Sequence, residues 1–439
     1  MRYFILLIIS ITTAVNAQTP RILPMEKRAQ IIDEILEERI REVLPRVMRD
    51  NDLDMWLLIS REYNEDPVIK TFLPATWLSA RRRTMLLIYD PGEGKELETL
   101  AVARYDVGKM FLQSWDKDVQ PDQWARLAEL ISERDPAKIG VNFSDAYGHA
   151  DGIAATDLRL LKESLPEKYS DRIVSAEKVA VGWLETRSER ELMIYGQICR
   201  IAHDIILEAF SPEVVSPGIT STDDVVWWLR DRVRELGLTT WFHPTVSVQR
   251  ADPESFDHLR SFSSRPEQQL IMPGDLLHVD FGITYLRLNT DTQQHAYVLR
   301  PDETDAPDYL KEALARGNRL QDIFTGNFSK GKTGNEILKQ SRDQAISEDI
   351  KPSIYSHPIG FHGHAAGTTL GMWDAQEGVP YTGDYPLHYN TAYAIELNAA
   401  TFIEEWDKEI RIMLEEDAVF LPEGVRYIDG RQTELILIR

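Results

Sequence analysis

LLHVDFGITYLRLNTDTQQHAYVL, residues 276–299, sets two aspartates, Asp280 and Asp291, eleven positions apart on two strand-like runs. Residues 276–285 alternate in the manner of a half-buried strand. A turn near Leu288-Asn289 would fold the next run back as a hairpin, so that the two carboxylates face each other across neighbouring strands. Alone, this pattern more commonly marks a pair of surface aspartates. It gains weight from three further segments nearer the C-terminus.

SHPIGFHGHAAG, residues 356–367, carries His357, His362 and His364, three of the chain's 10 histidines within eight positions. Histidine is a common metal ligand and proton-transfer group, and Gly360, Gly363 and Gly367 would let backbone and substrate come close. Two strand patterns close the chain: TAYAIELNAATFI (391–403), with Glu396 in its middle, and EIRIMLEEDAVFL (409–421), with Glu415. A glutamate inside an apolar strand is costly to bury unless it is paired or holds a cation. Four carboxylates and one neutral imidazole sum to about −4, the complement of two divalent ions. The donors are hard and rich in oxygen, which favours Mn²⁺, with Co²⁺, Fe²⁺ or Zn²⁺ as alternatives. Two such ions can share a water, lower its pKa and polarise a carbonyl.

The ordered set Asp280, Asp291, His357, Glu396, Glu415 resembles that of the pita-bread metallopeptidases, the family of methionine aminopeptidase, aminopeptidase P and prolidase. His357-Pro-Ile-Gly resembles the family's His-Gly-Ile-Gly, AIEL its Ile-Glu-Pro, and LEEDAVF its Glu-Asp-Asp-Val. The resemblance runs from about residue 185 to the end. It implies that Asp291 and Glu415 bridge the two ions, that Asp280 completes one shell, and that His357 and Glu396 complete the other. Glu396 would orient the shared water and take its proton, and His364 would bind the substrate carbonyl or the oxyanion. An upstream histidine of the family is matched to His258, with His243 as the alternative. Three departures touch substrate choice more than metal binding. Asp-x-Thr-Arg-Thr becomes Asp291-Thr-Gln-Gln-His, Arg-x-Glu becomes Arg411-Ile-Met-Leu-Glu415, and the Pro of the Glu-Pro step is Leu397.

Before this region, apolar runs at 55–60, 84–90 and 99–105, with a helical stretch at 122–133 and a strand at 138–143, alternate as in an α/β unit. An amphipathic helix over 25–51 precedes them, with Pro45 expected to kink or break it. By layout and length this half resembles the N-terminal domain shared by aminopeptidase P, prolidase and creatinase. The expected fold is therefore α/β (α+β): an N-terminal creatinase-like domain at 18–180 and a pita-bread catalytic domain at 181–439.

Residues 1–17, with Arg2, an apolar run over 3–15 and small residues at Val15-Asn16-Ala17, read as a signal peptide. The run is too short to span a bilayer comfortably, so a secreted or periplasmic protein without stable membrane insertion is expected. The net charge of −22 over 439 residues argues against nucleic acid as a partner. Cys199 is the only cysteine, which excludes an intramolecular disulfide and reads as a small buried hydrophobe. The activity implied by the resemblance is metal-dependent hydrolysis of short peptides, as an Xaa-Pro aminopeptidase or Xaa-Pro dipeptidase, in a homodimer. The competing readings are a creatinase-like hydrolase or a lyase on the same fold, and a non-catalytic relative. Creatinase and non-catalytic relatives lack ligands that are all present here.

Overall fold

The computed structural model describes residues 22–251 and 269–439. His258 and the apolar leader lie outside them. No helix among the described residues is long and apolar enough to cross a membrane.

The first unit is a six-stranded mixed sheet. Its order is Leu112–Gln113, Glu98–Val102, Arg83–Tyr89, Met55–Arg61, Ile139–Val141, Ile173–Ser175. The unbroken apolar run at 55–59 has a direct cause. Met55, Leu57 and Ile59 pack with Trp124, Leu127 and Leu161 on one face, while Trp56 and Leu58 meet Leu44, Phe72 and Trp183 on the other. Successive side chains of a strand point to opposite faces, and helices cover both. The break expected at Pro45 does not occur, because the helix Met25–Asp50 continues through it. A proline there costs roughly 3 kcal/mol. Burying Val43, Leu44, Val47 and Met48 returns roughly 1.5–3 kcal/mol for each side chain.

The second unit begins with the helix Glu189–Ala209, opened by a Ser188/Glu191 capping box, and the helix Thr222–Glu235, opened by Ser221 and Asp224. These lie against one face of the sheet Ile436–Ile438, Thr292–Val298, Leu276–Phe281, Thr245–Gln249. Leu277, Val279 and Phe281 point into that helical layer. The alternation of the strand then turns His278 and Asp280 to the opposite face, toward the interior of the unit. The helices Asp308–Gly326 and Gly334–Ser347 cover a second core with Leu397, Ala399, Ile412 and Leu414. Cys199 is buried as expected, and its thiol donates to Asp417 Oδ2 at 3.4 Å.

The turn of the aspartate hairpin, expected near Leu288-Asn289, falls two residues before that pair. Those residues pair back on Thr284–Tyr285, and the turn is Leu286-Arg287, both left-handed at φ 53° and 64°. Left-handed backbone costs a residue with a side chain roughly 1–2 kcal/mol. Here Leu286 and Leu288 are buried, and Arg287 donates to the carbonyls of Leu73 (2.7 Å) and Pro74 (3.2 Å) in the first unit. Long-range anchoring, invisible in the local pattern, overrides the ordinary turn preference.

Candidate metal centre

Asp280 lies near the end of its strand, and Asp291 immediately precedes Thr292–Val298. The antiparallel register sets Asp280 opposite Gln293 rather than opposite Asp291. Gln293 in turn exchanges backbone hydrogen bonds with Glu415, at 3.0 and 3.2 Å. Both glutamates, expected in mid-strand, fall at interruptions. The chain passes from Thr391–Ala394 into Leu397–Ile403, and from Lys408–Leu414 into Asp417–Leu421, and each partner strand belongs to a different sheet. The pairs Ala394/Asp417 and Leu397/Leu414 nevertheless keep one register across the gap. Glu396 therefore stands opposite Glu415, where two sheets bend into each other. Asp280, Gln293, Glu415 and Glu396 form one row across four strands.

His357 pairs with Ala394 on the next strand. Its Nδ1 lies 2.9 Å from the Pro358 carbonyl, which places the ring proton there and leaves the Nε2 lone pair facing inward. That nitrogen is 3.6 Å from Asp291 Oδ2 and 3.8 Å from Glu415 Oε1. Three triads have ligand atoms within 4.8 Å of one another: Asp280–Asp291–Glu415, His357–Glu396–Glu415 and Asp291–His357–His364. The structure thus brings together all five residues singled out from sequence, with His364 beside them.

Burial, and then mutual repulsion, pushes the carboxyls of Asp291, Glu396 and Glu415 well above the usual carboxylate range. Burial and the neighbouring His364 push the His357 imidazole down to about 3. Asp291 Oδ1, Glu415 Oε1 and His357 Nε2 are buried without any hydrogen-bond partner. A buried acceptor without a donor costs roughly 1–3 kcal/mol. Three of them converging among carboxylates that cannot hold their charge together fit divalent cations, as the hard donor set does.

The triads open into a cavity of about 570 Å³, within the size range of small-ligand sites. Trp241, Phe242, Met372 and Trp373 give it apolar walls. The glycines of the histidine loop admit protein rather than substrate. A Cβ at Gly363 would lie 2.4 Å from the Trp241 ring, and one at Gly360 2.7 Å from the Arg187 guanidinium. His243, the alternative upstream histidine, is exposed; its ring lies tilted at 5.3 Å from that of Trp227 and its Nδ1 accepts from Arg230 at 3.1 Å.

Sequence reasoning missed two groups. Tyr147 and His149, from the first unit, line the cavity. Tyr147 donates to the Gly367 carbonyl at 3.0 Å, and the His149 ring lies 4.6 Å from that of His362 and hydrogen-bonds the His364 backbone. They sit at a single 3-10 turn, Gly148–Ala150, with Tyr147 at its N-cap, more than 200 positions before the histidine loop and with no local pattern to mark them. The other is Gln293, whose amide Nε2 donates to Glu396 Oε1 at 2.5 Å and Glu415 Oε2 at 2.6 Å. The departure from the Asp-x-Thr-Arg-Thr pattern was its only signal.

The sequence model of metallopeptidase family M24 matches residues 194–427, more than half of the chain. A search of curated protein sequences finds no match. Among solved structures, the chain is similar to an X-Pro aminopeptidase from Thermotoga maritima, with 17% identity and a TM-score of 0.62, covering 89% of this chain and 99% of that one. It is also similar to an Xaa-Pro dipeptidase from Bacillus anthracis, with 18% identity and a TM-score of 0.59, covering 94% and 100%. A prolidase from Pyrococcus horikoshii gives 17% identity and a TM-score of 0.55, covering 93% and 100%. At these identities the likeness is one of fold.

Proposed function

This chain belongs to metallopeptidase family M24, and we propose that it is a two-metal exopeptidase that hydrolyses short Xaa-Pro peptides. The observation that carries the reading is the convergence of three orphaned ligand atoms, on Asp291, Glu415 and His357, within a carboxylate cluster. Asp280, Asp291 and Glu415 would hold one ion; Asp291, His357, Glu396 and Glu415 would hold the other; Mn²⁺ suits the donors best. When bound, the ions would lower the pKa of a shared water and polarise the scissile carbonyl. Glu396 is assigned to take that water's proton. His364 lines the cavity with its ring 4.7 Å from that of His357, and is assigned to hydrogen-bond the substrate carbonyl and the oxyanion that develops from it. His258 is retained as the upstream histidine on resemblance alone.

Among the described residues that line the cavity there is no Lys or Arg, and burial pushes down the pKa of His149, His357 and His364. A dipeptide's carboxylate would find no fixed cation among the described lining residues. This favours substrates longer than dipeptides, and so aminopeptidase over dipeptidase action. Export as a signal-peptide-bearing protein and a homodimeric state belong to the same proposal. The test is metal content together with cleavage of Xaa-Pro dipeptides and longer Xaa-Pro peptides, for the protein and for Asp291→Ala. The reading expects two ions per chain, preferential cleavage of the longer peptides, and loss of both properties in the variant. A stripped protein that takes up no metal, or activity untouched by Asp291→Ala, overturns it.

A further inference from the structure

Gln293 is the one neutral residue in the row Asp280–Gln293–Glu415–Glu396, and it is 3% exposed. A primary amide has two N–H donors, and both are spent here on ligand carboxylates: Glu396 Oε1 at 2.5 Å and Glu415 Oε2 at 2.6 Å. Its carbonyl oxygen lies 2.9 Å from His278 Nε2, which fixes the direction of the amide. Turning the amide over would set that oxygen against two carboxylate oxygens. The backbone of Gln293 is held by its paired hydrogen bonds with Glu415, so the fork starts from a rigid point. Glu415 Oε1 remains without a partner and faces the other ligands.

We propose that this fork makes Gln293 the positioning residue of the His357-side ion, holding Glu396 and Glu415 together in ligating geometry. The inference rests on the two-ion reading of the centre. The two ligand triads differ in their dependence on it. The His357–Glu396–Glu415 triad contains both residues that Gln293 restrains; the Asp280–Asp291–Glu415 triad contains one. Loss of the fork therefore weakens one ion selectively. Groups that orient metal ligands are typically worth 10–100-fold in affinity. Threonine, which the resemblance places at this position, has a single hydroxyl hydrogen and can serve only one of the two glutamates.

The test is calorimetric titration of chelator-stripped protein with MnCl₂ alone, for the wild type, Gln293→Met, Gln293→Thr and His357→Ala. Methionine keeps most of the side-chain volume and removes the donors; the melting temperature of each stripped variant reports its folding. The expected result is two ions on the wild type. Gln293→Met should retain one ion within about threefold and hold the other about 10–100-fold more weakly, with Gln293→Thr between the two. In Gln293→Met combined with His357→Ala, the surviving ion should bind as it does in His357→Ala alone. Equal weakening of both ions, or none, in a folded Gln293→Met overturns the inference and leaves the two-ion reading standing. Fewer than two ions on the wild type overturns both.

Discussion

Glu185 ends the helix Glu177–Glu185, and replacing it with glutamine should stabilise the protein by an amount that grows with pH. The residue is 2% exposed, its Oε1 accepts from the Tyr385 hydroxyl at 3.2 Å, and its Oε2 has no partner. A helix C-terminus adds a further disfavour to negative charge. Burial raises this carboxyl from 4.5 to about 8, with Tyr385 and Arg187 offsetting part of the effect. At 1.36 kcal/mol per pH unit, this corresponds to about 5 kcal/mol between the fully protonated and fully ionised limits. The sign is set by proton binding. Between pH 4.5 and about 8 the folded state holds a proton that the unfolded state has lost, so the wild type loses stability as pH rises through that window. Glu185→Gln has no proton to lose. Its advantage over the wild type should rise by roughly 1.4 kcal/mol per pH unit from pH 4.5 and level off above pH 8. Denaturant or thermal unfolding of the metal-loaded proteins, compared pairwise at each pH, cancels the titration of every other group. A difference that is flat from pH 4.5 to 9, or that falls, refutes the buried-carboxyl argument.

Glu396→Gln should bind the His357-side ion more weakly, since Glu396 belongs to that triad, and with MnCl₂ raised until both sites are filled its kcat on an Xaa-Pro peptide should still fall about 10²–10⁴-fold, the usual worth of a general base. His149→Ala should raise KM by roughly 3–10-fold, the net worth of the hydrogen bond by which it holds the His364 backbone beside the cavity, with metal affinity unchanged because His149 belongs to none of the ligand triads. Chelation should lower the melting temperature more at high pH than at low. The raised carboxyls of Asp291, Glu396 and Glu415 keep the stripped protein's stability below the ordinary carboxylate pKa and surrender it as pH rises, and added Mn²⁺ should abolish the difference. Arg287→Ala should cost about 2 kcal/mol in unfolding, through loss of its hydrogen bonds to Leu73 and Pro74.

Four of the five residues that converge carry a local sign, an acid inside an apolar run or histidines dense among glycines, whereas Asp291, in the polar run Asn289–Gln294, was legible only through its pairing with Asp280. The α/β character of the first unit was legible for the same reason, since strands buried on both faces show unbroken apolar runs such as Met55–Ile59. What the local pattern could not carry was register. Nothing near Gln293 says that it faces Asp280 on one side and Glu415 on the other, because those pairings are set by strands up to 122 positions away. The turn at Leu286-Arg287 failed to read as a turn because its strain is balanced by the first unit. Pro45 failed as a breaker because the face around it is buried. His149 carries no sign at all, since only tertiary packing brings it to the cavity.

The row of cross-strand neighbours also explains why the acids sit where they do. Like charges directly opposite on adjacent strands are destabilising, and neighbouring strands stand only about 4.8 Å apart. A continuous sheet would therefore expel a row with three acids unless something neutral or positive came between them. Gln293 supplies the neutral element inside the row, giving two N–H groups where an acid would give repulsion. Bound cations would supply the remainder from outside it. The bend at Glu396 and Glu415 brings His357, from the next strand along, to the same point, where no flat sheet could place it. On the positioning role proposed for its fork, the departure at Gln293 would belong with the metal ligands rather than with substrate choice. A variant there should alter the occupancy of the centre before it alters which peptide is cut.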